Sequence, residues 1–183
     1  MNSLKRLYNW TLDKANHKNA KWYLSLISFA ESSFFPIPPD LLLIPMALAS
    51  KTKAIFYAFI CTFSSVLGGI LGYAIGYYFY NTLGIYIVEF YHLENSFSIF
   101  ENYYKEYGIL IVLGAGITPF PYKFITIASG VFGLNIFLFI IISIIGRGLR
   151  FYLIALLLYF FGEKIKLIID KYFNILTVLF FIL

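Results

Sequence analysis

The sequence predicts an all-helical, polytopic membrane protein. It is expected to be an inverted repeat, with two re-entrant helical hairpins packed against transmembrane helices. Three observations predict this. Of the 183 residues, 61% are hydrophobic and the mean hydropathy is +0.81, outside the range of an ordinary soluble domain. Ala54–Val88 carries no charge, and Tyr107–Gly146 carries only Lys123, whereas about 20 apolar residues suffice for a helix to cross a bilayer. Two of the apolar stretches are interrupted by proline pairs with a charge behind them: Phe35-Pro36-Ile37-Pro38-Pro39-Asp40 and Thr118-Pro119-Phe120-Pro121-Tyr122-Lys123.

Residues 1–21 lack the short apolar run and small-residue cleavage site of a signal peptide. Leu4, Leu7 and Tyr8 share helical spacing among Lys5, Arg6, Lys14, Lys18 and Lys21. This predicts a basic amphipathic segment on a membrane surface, with Trp10 and Trp22 suited to an interfacial belt.

Trp22–Ser50 is 29 residues long. A straight helix of that length would extend roughly 43 Å, against a hydrocarbon core of about 30 Å. Pro36, Pro38 and Pro39 divide it into arms of 14 and 11 residues, because proline removes a donor and pushes its predecessor out of the helical region. Neither arm spans alone. Both flanks are basic, with five cations and Asp13 before the segment and Lys51 and Lys53 after it. The excess of positive charge on cytoplasmic loops puts both flanks, and the N-terminus, on the inner side. That requires a hairpin.

Ala54 to about Tyr80 then crosses outward. Asn81–Glu106 carries Glu89, Glu94, Glu101 and Glu106 against Lys105 alone, so it is expected outside, its aromatic residues against the interface. Tyr107–Asn135, broken at Pro119 and Pro121, is expected to form a second hairpin with short arms, entering from outside. Ile136–Phe161 crosses back to Lys164, Lys166 and Lys171, and the apolar residues 172–183 follow as a separate segment, either an incomplete span or one leaning into the bundle.

Placing Asp40 on Lys123 aligns the two proline motifs without a gap. Five extra residues near Ser50–Ala54 then bring Gly68 onto Gly146 and Gly84 onto Gly162. The halves are therefore read as repeats, about 22–84 and 107–162, inserted in opposite directions. Inverted repeats with broken helices near the midplane are a transporter architecture. Gly68, Gly69, Gly72 and Gly76 are expected to permit close helix contact.

Five ionisable residues lie within or beside the apolar segments: Glu31, Asp40, Lys123, Arg147 and Arg150. Each costs roughly 2.5–3.5 kcal/mol at a helix centre, so five facing lipid would cost on the order of 12–17 kcal/mol, more than the whole stability of a small domain. They are expected to face one another, water or a ligand. Two acids against three bases leave one positive charge over, which suits an anionic, phosphate-bearing substrate. The same charges also suit a structural salt-bridge cluster, and Arg150 also suits interfacial snorkelling. Asp40 and Lys123, at matching positions in the two copies, are a candidate pair. A carboxyl set between an apolar medium and cations suits proton uptake and release, so Glu31 and Asp40 are candidates for proton coupling. Glu31→Gln is then expected to remove titration and leave the fold intact. Lys123, Arg147 and Arg150 are candidates for holding the substrate.

His17 and His92 have no companion ligands, and no nucleophile or metal set is evident. Neither an enzyme, a cofactor, a metal nor a nucleic-acid partner is expected. Assembly into a homo-oligomer is left open.

At Thr118–Lys123, Ala128-Ser129-Gly130 and Gly146-Arg147-Gly148-Leu149-Arg150-Phe151 the chain resembles the DedA family, also called the VTT or SNARE-associated domain, in its YqaA-like branch. The likeness covers about Glu31–Gly162, within a DedA/VTT-like membrane domain over residues 22–171. It implies a transporter of the cytoplasmic membrane linked to the proton motive force, handling a lipid such as undecaprenyl phosphate or an anionic phospholipid. It also implies an acid pair at Glu31 and Asp40 and a base at Lys123. Many members carry two arginines six residues apart at the second hairpin. Here Ile117 stands at the earlier position, leaving Arg147 or Arg150 to supply that charge. The alternative function is a structural or assembly protein that supports envelope integrity without transport.

Overall fold

The computed structural model describes residues 19–34, 38–92 and 94–182, the side chains of Ile87, Glu94, Ser96 and 163–182 excepted. Residues 1–18 of the basic segment, and Pro36, lie outside the described residues. Among the described residues every regular element is helical. The order is α1 (Ala20–Ser33), α2 (Asp40–Ala49), a 3-10 turn (Lys51–Lys53), α3 (Ala54–Phe79), a π-helical turn (Tyr80–Gly84), α4 (Ile85–Phe90), α5 (Glu94–Ile117), α6 (Tyr122–Val131) and α7 (Ile136–Ile182). Two helical stretches among the described residues are long and apolar enough to cross a membrane, Lys51–Gly84 and Ile136–Gly162.

The first proline motif breaks the chain into helices of 14 and 10 residues. Pro39 caps α2 with its ring-fixed φ of −65°, and Asp40 occupies the first turn, where the helix dipole favours a carboxylate. Pro45 lies inside α2 and is buried; it adds no donor to the helix ladder. The second motif ends α5 at Ile117, and Pro121 turns extended (ψ 104°) before α6 begins.

The first arm of that second break is longer than the sequence suggested. α5 has 24 residues and starts at Glu94, so Glu94–Glu106 is its opening half. The reason is packing. Phe97 stacks on Tyr80 and tilts against Phe132, with ring centroids 4.7 and 5.2 Å apart. Tyr104 packs on Phe132 at 5.1 Å, and its hydroxyl meets Ser129 Oγ at 2.8 Å. Phe100 and Tyr103 do remain exposed. Glu101 and Lys105 form an exposed i,i+4 pair at 2.7 Å, worth a few tenths of a kcal/mol. Nor are residues 172–182 a separate segment, for α7 continues through Ile182.

The α6–α7 corner follows from two residues. Gly133 takes a φ of +63°, and Leu134 N–H reaches back to Ser129 O at 2.9 Å, a left-handed helix end that favours glycine. Asn135 then caps α7, its Oδ1 accepting from the N–H groups of Phe137 and Leu138 at 3.0 and 3.2 Å.

α1 packs along α3, and α5 along α7. The short helices after each break cross to the other long helix, α2 against α7 and α6 against α3. Glycine sets the closest approaches. A Cβ on Gly68 would lie 2.0 Å from Phe29 O, and one on Gly76 would lie 2.0 Å from Ile127 O. One apolar core joins α1, α2, α3 and α7, and includes Phe151; a second, smaller core holds Tyr122 and Phe139. The outward face of α3 exposes Phe59, Phe63, Leu67, Leu71 and Ile75, each four residues from the next.

Candidate functional site

Arg147 and Arg150 are three apart on α7, and so share a face. That face meets both breaks, and the two arginines take the two acids between them.

Arg147 is held on every side described. Its Nη2 donates to Glu31 Oε2 at 2.6 Å, and its Nε donates to Ser65 Oγ at 2.6 Å. Its guanidinium lies over the rings of Tyr122 and Phe151, 5.0 and 4.7 Å from their centroids. Those rings belong to the two different apolar cores. Ser32 Oγ lies 3.1 Å from Glu31 Oε2 and 2.6 Å from Ser65 Oγ. Thr126 Oγ1 donates to Ser32 O at 3.0 Å and ties α6 to α1, and the Tyr122 hydroxyl meets Ser143 Oγ at 2.6 Å. Arg147 is only 2% exposed. Each desolvated cation–π contact is worth about 2 kcal/mol, and removing one partner of a buried pair costs about 3–5 kcal/mol.

Arg150 is held less completely. Its Nη2 donates to Asp40 Oδ2 and its Nη1 to the carbonyl of Thr118. One guanidinium thus joins the start of α2 to the end of α5, bridging the two breaks. A guanidinium and a carboxylate can share two parallel bonds, but this pair makes one. Asp40 Oδ1 and Arg150 Nε are both buried without a partner, at about 1–3 kcal/mol for each such group.

Asp40 therefore pairs with Arg150 and not with Lys123. Arg150 is not a snorkelling surface residue, because its side chain is 14% exposed and its charge is turned inward. Lys123 is half-buried, its Nζ 5.3 Å from the Phe124 ring centroid. It has no ion pair among the described residues. The positive charge left over in the sequence thus falls on Lys123. Pro38 and Pro39 supply the carbonyls that receive the first N–H groups of α2, and Pro121 does the same for α6. Pro119 is exposed. Among the described residues no three His, Cys, Asp or Glu side chains gather as a metal site would require.

No family model and no solved structure matches the chain. It is 38% identical over 158 residues to an uncharacterized protein of Haemophilus influenzae, the match covering 86% of this chain and 82% of that one. It is likewise 38% identical over 161 residues to the uncharacterized protein HI0703 homolog of Histophilus somni, with the same shares covered. The chain belongs to the family of these relatives.

Sequence reasoning missed Ser32, Ser65, Tyr122, Phe151 and the Thr118 carbonyl as members of the site. Ser64-Ser65 inside the uncharged run of α3 was the one available signal. Tyr122 lies in the second proline motif and Phe151 at the end of Gly146–Phe151, but nothing in a sequence says that two rings will close on one guanidinium.

Proposed function

We propose that the protein is an integral membrane transporter, linked to the proton motive force, that moves an anionic, phosphate-bearing lipid or related substrate across the cytoplasmic membrane. The observation that carries this reading is the pair of charge clusters enclosed where two broken helices meet, in a molecule whose outward helix faces are apolar. Irregular backbone at membrane depth is tolerated where it is buried or lines a polar cavity, and enclosed charge is characteristic of substrate and ion paths.

The inverted repeat has support of its own. Ser33 Oγ donates to Gly68 O at 3.1 Å, and a Cβ on Gly116 would lie 3.0 Å from Gly146 Cα. The alignment by the proline motifs matches Ser33 with Gly116 and, with the five extra residues near Ser50–Ala54, Gly68 with Gly146, so matched positions touch in both halves. The DedA resemblance agrees, and Arg150 reaches the residue after Ile117, where that family often carries arginine. In this reading Glu31 handles protons and Arg150 with Lys123 holds the anion. Arg147, caged against Glu31, serves the proton site.

The same cage favours a second reading, a structural or assembly protein in which the charges only hold the bundle together. Native mass spectrometry of the purified protein separates the two. The transport reading expects a retained phosphate-bearing lipid, depleted by Lys123→Gln; a wild-type protein that retains none would count against it.

The hairpin arrangement makes a further prediction. In a Cys61→Ala background, Thr52→Cys and Asn95→Cys should be labelled from opposite faces of the membrane, the former from the inside. Labelling of position 52 from outside would eliminate the first hairpin.

A further inference from the structure

The two arginines differ in one respect that bears on ligand binding. Arg147 meets a carboxylate, a hydroxyl and two rings. Arg150 Nε meets nothing, and Oδ1 of its own partner Asp40 meets nothing, although both atoms are buried. A donor and an acceptor thus stay unpaired within one ion pair. The other end of the guanidinium lies at Thr118, and residues 118–121 are exposed, so this arginine reaches an exposed stretch of the second break. Lys123, with no ion pair among the described residues, stands at the same break.

We propose that Arg150 is the anion seat and that Asp40 occupies it only while the seat is empty, as an internal stand-in for the ligand. This rests on the transport reading. The ligand chemistry is a phosphomonoester or phosphodiester. A tetrahedral phosphate presents one oxygen to Nε and another to Nη2, meeting the donor that Asp40 leaves unmet, while Lys123 balances further negative charge. The Thr118 carbonyl keeps its bond to Nη1 and holds the guanidinium in orientation. Asp40 is in the first turn of α2, so its displacement releases that end of α2 from α7. Ligand and Asp40 compete for one group, and the ligand-bound state is favoured only by the difference in their affinities for it.

Competition predicts that neutralising Asp40 tightens binding, the reverse of what a ligand-binding acid or a structural acid would show. The full chain in detergent is titrated with short-chain phosphatidylglycerol, with phosphatidylcholine of equal chain length, and with inorganic phosphate. Asp40→Asn should bind phosphatidylglycerol about tenfold more tightly than wild type, since a competitor lowers apparent affinity by the fraction of sites it holds. Arg150→Gln should lose the preference for phosphatidylglycerol over phosphatidylcholine. A parallel gain for inorganic phosphate identifies the free anion as sufficient; a gain for the lipid alone identifies a headgroup. If Asp40→Asn is unstable by itself, phosphatidylglycerol should raise its melting temperature more than that of wild type, and an equal or smaller rise overturns the proposal. So does a wild type that prefers phosphatidylglycerol beside an Asp40→Asn variant that binds no better. Absence of any anion preference in every protein would overturn the transport reading along with it.

Discussion

Arg147→Gln is expected to destabilise the protein by about 3–5 kcal/mol, because it leaves the Glu31 carboxylate enclosed without its cation. It also removes a guanidinium that joins the two apolar cores through Tyr122 and Phe151. With whole-protein stabilities of about 5–15 kcal/mol, most of the folded yield should be lost. Glu31→Gln should fall by a similar amount, since it strands a guanidinium that is 2% exposed. From sequence, Glu31→Gln is expected to leave the fold intact in a transporter and to act through stability in a structural cluster; the buried pair with Arg147 adds a stability loss in either case. The double variant Glu31→Gln, Arg147→Gln should recover much of the loss, because a neutral pair keeps hydrogen bonds to Ser32 and Ser65 within reach. Melting temperatures in detergent measure this as a double-mutant cycle. Additive losses would show that the two groups do not act as a pair.

The second large effect is steric. Gly76→Ala should cost about 3 kcal/mol, the upper part of the usual range for overpacking, because the added methyl meets the Ile127 carbonyl at 2.0 Å. A backbone oxygen cannot rotate aside as a side chain does, so α3 and α6 must separate. Gly68→Ala should behave alike, through Phe29 O at 2.0 Å. Gly114 is the control. A Cβ there meets nothing within 4 Å, so Gly114→Ala should be neutral or stabilise α5 by up to about 1 kcal/mol. Equal melting of Gly76→Ala and Gly114→Ala would contradict the observed approach of the helices.

The breaks were legible because proline acts locally. Pro38, Pro39, Pro119 and Pro121 determine where α1, α2, α5 and α6 end or begin whatever surrounds them. The glycines of α3 were legible for a related reason: four small residues on one helix have little use except close contact. The members of the charge cluster could be named, since an apolar run leaves few ionisable groups to choose from. Their pairing could not. Whether Asp40 meets Lys123 or Arg150 depends on how α2 crosses to α7, a tertiary choice that matching positions in two repeats do not determine. The beginning of α5 was missed for the same kind of reason. Phe97 and Tyr104 read as interfacial aromatics until Phe132, far along the chain, is beside them.

Translocation by the protein in liposomes separates a transporter from a structural protein. Fluorescent phosphatidylglycerol and phosphatidylcholine are followed in turn, with and without an imposed pH gradient. A transporter should move phosphatidylglycerol faster, at a rate that responds to the gradient, and Lys123→Gln should lose much of that selectivity. Movement of both lipids at the rate of protein-free liposomes, with or without the gradient, would rule transport out.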